Sequence, residues 1–230
     1  MAEPEKLTVA VNDIESVTAM LYPAGRKNRA RVTIVLGHGA GADQMSGFMR
    51  MVASGFAARG LDAMTFNFIY KEKLKSVPDP KAKLEACYQA IINAAIKNKK
   101  LKGNKLVIGG KSMGGRIASQ VAAEHFEGID GLVFLGYPLH PPGRPDQLRT
   151  RHLPAISVPM LIVQGERDAF GTPDELRPVL RKLRAKPQLY VVEGGDHSFK
   201  VPKSAGTPQP QIHARVLDEI ERWLRATTGI

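Results

Sequence analysis

The chain has 230 residues, of which 43% are apolar and 24% are charged, a composition that suits one globular α/β domain. Its single cysteine, Cys87, excludes an intramolecular disulfide and favours a reducing compartment. The net charge of +11 comes mostly from scattered basic residues, without zinc-finger spacing or aromatic-rich RNA-binding motifs, so the sequence argues against a nucleic-acid-binding protein.

Neither a secretion signal nor a membrane span is predicted. The first residues, MAEPEKLTVAVNDIE, contain acids and a proline where a signal peptide would have a basic start and an apolar run. No stretch approaches the ~18 uninterrupted apolar residues of a membrane-spanning helix. We therefore expect a soluble, cytoplasmic protein with no membrane partner.

Strands and helices are predicted to alternate along most of the chain. In chain order the predicted elements are an edge hairpin (7–11 and 16–22), a strand (31–41), a helix (45–59), a strand (61–68), a helix (80–99), a strand (106–110), a helix (113–125), a strand (130–138), a proline-rich connector (139–157), a strand with its exit loop (158–171), a helix (173–184), a strand with its exit loop (188–199) and a closing helix (208–226). This alternation predicts an α/β fold: a mostly parallel twisted sheet with helices on both faces and an N-terminal antiparallel edge hairpin. Since no repeat or long linker interrupts it, we predict a single domain, 1–230.

Four polar or glycine-rich loops follow predicted parallel strands. They cover 39–41, 110–115, 165–171 and 194–197. Because the carboxyl ends of parallel strands meet at one edge of a sheet, and sites form in the crevice there, we expect these loops to converge.

The loop at 110–114, Gly-Lys-Ser-Met-Gly, is a G-x-S-x-G pentapeptide between a predicted strand and a predicted helix. In that context the motif forms a sharp turn that lifts the serine oxygen above the sheet, and the glycines leave room for neighbouring backbone. Taken alone, the pentapeptide also fits a glycine-rich helix start with a capping serine. Its position at the junction favours Ser112 as a nucleophile.

A serine nucleophile needs a base and an acid that orients the base. His197, after the last strand, is the predicted base, and Asp168, after the preceding strand, is the predicted acid; the order Ser, Asp, His is the one expected for this motif. Asp174 and Asp196 are rival acids, the first suited to a helix start and the second awkwardly close to His197 in sequence. The remaining histidines are interpreted as structural or exposed: His38, His125, His140, His152 and His213.

The oxyanion of a tetrahedral intermediate requires backbone N–H donors. Met113 follows the nucleophile and supplies the first predicted donor, and Ala40, in the sequence His38-Gly39-Ala40-Gly41, supplies the second. All the parts of a nucleophilic hydrolytic site are thus present, in the expected order.

These motifs resemble the α/β-hydrolase superfamily over nearly the whole chain. More narrowly, LGHGAGAD, GGKSMGGR, QGERDAFG and GGDHSF resemble the small, cap-less, dienelactone-hydrolase-like group. One departure is that dienelactone hydrolases proper use a cysteine nucleophile, whereas this chain has Ser112, and Cys87 falls within a predicted helix. The resemblance therefore implies a serine hydrolase but argues against dienelactone as its substrate.

The sequence predicts a serine hydrolase that cleaves carboxylic esters or similar small acyl compounds through an acyl-enzyme intermediate, without a metal or organic cofactor. The short connector at 139–157 leaves no room for a cap domain, which favours small acyl groups. A non-catalytic binding or scaffolding protein on the same fold is the alternative. Basic residues near the predicted site would suit an anionic substrate; they are Lys111, Arg116, Arg144, Arg149, Arg151, Arg167, Lys200 and Lys203. For any one of these residues, ordinary surface charge is the alternative interpretation.

Overall fold

The computed structural model describes residues 3–25, 29–124 and 127–229. Its strands are β1 (Glu5–Ala10), β2 (Ser16–Tyr22), β3 (Val32–Gly37), β4 (Asp62–Phe66), β5 (Lys105–Lys111), β6 (Gly131–Leu135), β7 (Met160–Gly165) and β8 (Gln188–Val192). Its α-helices are α1 (Gly47–Ala58), α2 (Ile69–Glu72), α3 (Lys81–Lys97), α4 (Met113–Ala123), α5 (Pro173–Leu180) and α6 (Gln209–Thr228).

The eight strands form one sheet in the order β1-β2-β4-β3-β5-β6-β7-β8. β1 pairs with β2 and β2 with β4 in antiparallel fashion, and all the other pairs are parallel. The edge hairpin turns at Asn12, whose side-chain oxygen accepts hydrogen bonds from the N–H groups of Ile14 and Glu15. The predicted fold class is confirmed.

Two apolar cores lie on opposite faces of the sheet. Apolar residues of α3, α4 and α5 pack on one face, and those of α1 and α6 pack on the other. β3 to β7 are buried except for Lys105 at the start of β5, because helices cover both faces of the parallel region.

The elements differ from the predicted ones mainly at their ends. α5 begins as predicted, with Thr172 and Glu175 forming a capping box and Pro173 in the first turn, but it ends at Leu180 and the chain continues in tight turns. The short helix α2 was not predicted. α4 ends at Ala123, and His125, where its predicted end falls, lies outside the described residues. In the described ranges, no helix is both long and apolar enough to cross a membrane.

Candidate active site

The loops that follow β3, β5, β7 and β8 converge on one cavity of about 540 Å³. The residues that these loops contribute to its wall include Gly39, Ala40, Ser112, Met113, Phe170 and His197. The structure therefore brings Ser112 and His197 to the same cavity, beside the backbone of Ala40 and Met113. This is the edge of the sheet at which the carboxyl ends of the parallel strands meet.

Ser112 occupies a sharp turn between β5 and α4. Its backbone angles, φ 50° and ψ −114°, lie in a region that side-chain-bearing residues rarely adopt. The end of β3 runs very close to this turn. A Cβ atom on Gly110 would lie 2.2 Å from the carbonyl oxygen of Gly37, and one on Gly114 would lie 2.1 Å from the same oxygen. The two outer glycines of the pentapeptide therefore make room for the backbone of β3.

Asp168 holds the imidazole ring of His197. The Nδ1–H of His197 donates to Asp168 Oδ2 at 2.7 Å, and the Asp168 side chain is fully buried. The second carboxylate oxygen of Asp168 accepts from the N–H of Phe170 at 2.8 Å. With Nδ1 acting as the donor, Nε2 of His197 carries the free lone pair. This Nε2 atom is buried and has no hydrogen-bond partner among the described residues, Ser112 included.

Gln164, the penultimate residue of β7, fixes Asp168 in turn. Its side-chain N–H₂ group donates to Asp168 Oδ2 at 2.9 Å and to the carbonyl oxygen of Gly171 at 2.7 Å, while its oxygen accepts from the N–H of Tyr137 at 2.8 Å. Sequence reasoning missed this residue. The sequence feature that could have identified Gln164 is a single amide side chain near the end of the otherwise apolar strand MLIVQG.

The two rival acids have other surroundings. The side chain of Asp174 is 95% exposed and lies in the first turn of α5. The carboxylate of Asp196 accepts hydrogen bonds from the N–H groups of Ser198 and Lys200, at 2.7 and 2.9 Å, and so closes the turn that carries His197. Of the three acids considered from the sequence, Asp168 is the one that contacts the His197 ring.

The loop that contains Ala40 is braced by His38 and Tyr70. The Nδ1–H of His38 donates to the carbonyl oxygen of Gly39 at 2.8 Å, and its Nε2 accepts from the N–H of Phe68 at 3.2 Å. The Tyr70 hydroxyl donates to the carbonyl oxygen of Ala40 at 2.8 Å. In a trans peptide the C=O and N–H groups point in opposite directions, so His38 also sets the direction of the Ala40 N–H.

Burial lowers the pKa of His38 to about 4, which keeps its ring neutral near pH 7. The hydrogen bond that it accepts from Phe68 requires this neutral form. Within the described part of the chain, the N–H groups of Ala40 and Met113 donate to no protein acceptor. They remain available to a ligand in the cavity.

Lys111, directly before Ser112, lies inside the protein. Its ammonium group donates to the carbonyl oxygen of His197 at 2.6 Å, and burial lowers its pKa to about 8. Arg116 and Arg149 also line the cavity. The structure thus brings three of the basic residues singled out in the sequence to the cavity wall, and the other five are not part of that wall: Arg144, Arg151, Arg167, Lys200 and Lys203.

The remaining described histidines lie apart from the cavity wall. His152 is hydrogen-bonded to the Ser119 hydroxyl at 2.7 Å, and His213 lies beside the Gln209 amide at 2.9 Å. His140 contacts the carbonyl oxygen of Pro141. Within the described ranges, no three His, Cys, Asp or Glu side chains are grouped as a metal site.

Comparison with known proteins identifies the family. A family model described as an alpha/beta hydrolase domain matches residues 30–225. Solved structures with the same fold include a dienelactone hydrolase from Anabaena variabilis, 19% identical with a TM-score of 0.76, covering 98% of this chain and 99% of that chain. An alpha-beta serine hydrolase homologue from Coxiella burnetii is 17% identical, with a TM-score of 0.75 and coverages of 97% and 99%.

A serine hydrolase without a lid from Xanthomonas campestris is 16% identical, with a TM-score of 0.70 and coverages of 99% and 94%. At these identities the likeness shows the fold, and the family follows from the matched model. The family resemblance predicted from the sequence is therefore confirmed. The chain belongs to the alpha/beta-hydrolase family, and hydrolysis is the class of reaction that this membership assigns to it.

Proposed function

We propose that the protein is a serine hydrolase that cleaves small carboxylic esters or similar acyl compounds through an acyl-enzyme intermediate. One observation carries the proposal. His197 is bound through Nδ1 to a buried carboxylate, and its free Nε2 is enclosed at the cavity that Ser112 lines. A neutral imidazole held in this tautomer is the base that a serine nucleophile requires.

In the first half of the reaction, Ser112 Oγ attacks the ester carbonyl carbon while its proton moves to His197 Nε2. The carbonyl oxygen becomes an oxyanion that accepts hydrogen bonds from the Ala40 and Met113 N–H groups. Asp168 stabilises the imidazolium form of His197. The C–O bond to the alcohol then breaks, and the proton on Nε2 goes to the leaving oxygen.

In the second half, a water molecule gives a proton to His197 Nε2 and attacks the acyl carbon. The tetrahedral intermediate collapses, Ser112 regains its proton from His197, and the acid is released. The hydrogen bond between Ser112 and His197 is expected to form in the substrate complex, since such bonds are often long or unformed in ligand-free sites. The groups that take part in these steps are the protein's own side chains, two of its backbone N–H groups and water.

The cavity favours small substrates. The connector between β6 and β7 holds one short 3₁₀ turn, Leu153–Ala155, and no further helical layer over the cavity. Apolar contacts to an acyl group come from Leu84, Met113 and Phe170. The description of the Xanthomonas campestris neighbour as a serine hydrolase without a lid supports the same interpretation.

A fluorophosphonate probe tests the proposal. It should label the peptide containing Ser112 near neutral pH, because the phosphonyl adduct resembles the tetrahedral intermediate. Labelling and p-nitrophenyl acetate turnover should be lost in Ser112→Ala and nearly lost in His197→Ala, with circular dichroism showing both variants folded. Labelling should also fall on acidification, because an imidazolium cannot accept a proton.

Ser46→Ala is the matched control, since Ser46 is also the residue immediately before a helix but has no histidine–aspartate pair assigned to it. This variant should be labelled like the wild type. If the folded wild-type protein stays unlabelled and does not turn over the ester, the catalytic proposal is wrong and a binding or scaffolding role becomes the better interpretation.

A further inference from the structure

The cavity wall carries an excess of positive charge. Among the described residues, its charged side chains are the cations Lys81, Lys111, Arg116 and Arg149 and the single carboxylate Asp79. A cavity lined mainly by one sign of charge attracts ligands of the opposite sign, and its low-dielectric walls strengthen that attraction.

Three of these five groups have protein partners. Lys81 forms an ion pair with Glu85, and its ammonium group donates to that carboxylate at 2.6 Å. Lys111 donates to the carbonyl oxygen of His197. The Asp79 carboxylate accepts from the N–H of Tyr70 at 2.8 Å. Lys81 is thus paired with a carboxylate and the ammonium group of Lys111 is held by a neutral carbonyl, whereas the two arginines are the cations of the wall with neither kind of side-chain partner in the described part of the chain.

Arg116 and Arg149 form no ion pair with a carboxylate in the described part of the chain. Nε of Arg116 is buried and has no hydrogen-bond partner there. Arg149 is partly buried, and the pKa of its guanidinium is lowered first by that burial and second by the like charge of Arg116. Two arginines therefore line one cavity, both only partly exposed, and neither is paired with a described carboxylate. An anion bound in the cavity would reduce the repulsion between these two positive charges.

The position of Arg116 relates this charge to the nucleophile. The N–H of Arg116 donates to the carbonyl oxygen of Ser112 at 3.0 Å, so Arg116 lies one helical turn after Ser112, which directly precedes α4. One helical turn rises about 5.4 Å. An anionic group held by Arg116 would thus lie only a few carbon atoms from an ester carbonyl placed at Ser112.

We propose that Arg116 and Arg149 form a subsite for a carboxylate at the far end of the acyl group, which makes half-esters of short dicarboxylic acids the preferred substrates. The inference rests on the proposed function and specifies its substrate class. A planar guanidinium matches the two oxygens of a carboxylate. We place the carboxylate on the acyl part of the ester and not on the alcohol part. The leaving alcohol oxygen must lie beside His197, which protonates it, whereas Arg116 lies on the helix that follows Ser112.

Binding to the Ser112→Ala protein tests the subsite without any requirement for turnover. The two probes are monoethyl glutarate and ethyl 5-oxohexanoate, in which a methyl ketone replaces the carboxylate. An NMR titration should show at least tenfold tighter binding of the charged probe, with a difference that shrinks as salt rises. The preference should fall to near unity when Arg116→Gln or Arg149→Gln is added. The preference for the charged probe should persist with Arg144→Gln. Arg144 is exposed, lies between β6 and β7 as Arg149 does, and is not part of the cavity wall.

The wild-type enzyme gives the second readout, the ratio of kcat/KM for the two esters. Equal binding and equal turnover of the two probes by a protein whose Ser112 reacts with fluorophosphonate would overturn the subsite and leave the proposed reaction standing. Charge-dependent binding by a protein whose Ser112 is unreactive would support the subsite and overturn the proposed reaction. If Arg116→Gln does not fold, Arg149→Gln decides the question, because Arg149 lies in the connector outside helices and strands.

Discussion

The ammonium group of Lys111 donates a hydrogen bond to the main-chain carbonyl oxygen of His197 at 2.6 Å. Lys111 is only 8% exposed, and its pKa falls to about 8 mainly because of that burial, with Asp168 and Asp196 opposing the change. The residue before the proposed nucleophile therefore holds the loop that carries the proposed base. The two residues are 86 positions apart in sequence, and this bond joins the end of β5 to the loop after β8.

Replacing Lys111 with methionine should separate this positioning role from a merely structural one. The apolar stem is kept and the hydrogen bond to His197 is lost, so kcat for p-nitrophenyl acetate should fall about ten- to hundredfold, as misplaced catalytic groups do. The urea midpoint should change little, because a buried charge is removed together with its bond. Lys105→Met, which removes an exposed lysine of the same strand, is the control. A wild-type kcat in Lys111→Met would refute the positioning role.

Asp168→Asn should abolish most of the activity. The amide cannot stabilise the imidazolium form of His197, and the loss of kcat is expected to be on the order of a thousandfold or more, by analogy with other triads. Asp174→Asn should be nearly silent, since that side chain is exposed at the start of α5. Steady-state kinetics of both variants, with circular dichroism to show folding, checks this. Reversed effects would mean that the acid has been assigned wrongly.

His38 should make stability depend on pH. Its pKa is about 4 in the fold against an ordinary value of 6.5, so between these values the unfolded chain binds more protons. The free energy of unfolding should therefore fall as the pH drops from about 6.5 to about 4, by up to about 3 kcal/mol from this group alone. Urea titrations at several pH values should show a smaller fall in His38→Asn.

His152→Asn is the companion variant to His38→Asn. Burial, with Arg116 and Lys81 nearby, lowers the pKa of His152 to about 4 as well, so this variant should also flatten the pH dependence. Only His38→Asn should reduce kcat, because only His38 braces the loop that contains Ala40. Parallel pH curves for His38→Asn and the wild type would show that His38 is not the buried neutral group described here.

Gly114→Ala should destabilise the fold. The added methyl group would lie 2.1 Å from the carbonyl oxygen of Gly37, and both partners are backbone, so neither can move aside cheaply. The expected loss is about 1–3 kcal/mol, or more if β3 shifts. Gly47→Ala is the matched control in the first turn of α1, where nothing lies within 4 Å of the new atom. Urea denaturation of both variants gives the comparison, and equal stabilities would contradict the close packing of β3 against the turn.

Local signals predicted the fold and most of the cavity wall. β-branched runs ending in glycine located β3, β5 and β7, and the spacing of apolar residues located the helices that cover them. Because parallel strands bring their carboxyl ends to one edge, positions in the sequence were enough to bring Ser112 and His197 to one cavity. The single domain and the cytoplasmic location stay predictions.

Contacts between distant segments could not be predicted in the same way. The Gln164 amide joins β7 to Tyr137 and Gly171, and nothing in the strand pattern specifies those partners. Lys111 appeared from the sequence to be one more basic loop residue, because the predicted strand ended at residue 110, whereas β5 includes Lys111 and buries it. The short helix α2 has no strong local signal, whereas Pro178 in the last turns of α5 is a signal for its early end that sequence reasoning missed.

The backbone conformation of Ser112 lowers the stability of the folded protein. A serine at φ 50° and ψ −114° is strained, typically by about 1–3 kcal/mol, and glycine would relieve much of that strain. The inactive Ser112→Gly protein should therefore melt at a higher temperature than the wild type. If it does, activity and thermal stability compete at this residue, and selection of this protein for heat resistance alone would favour loss of the proposed nucleophile.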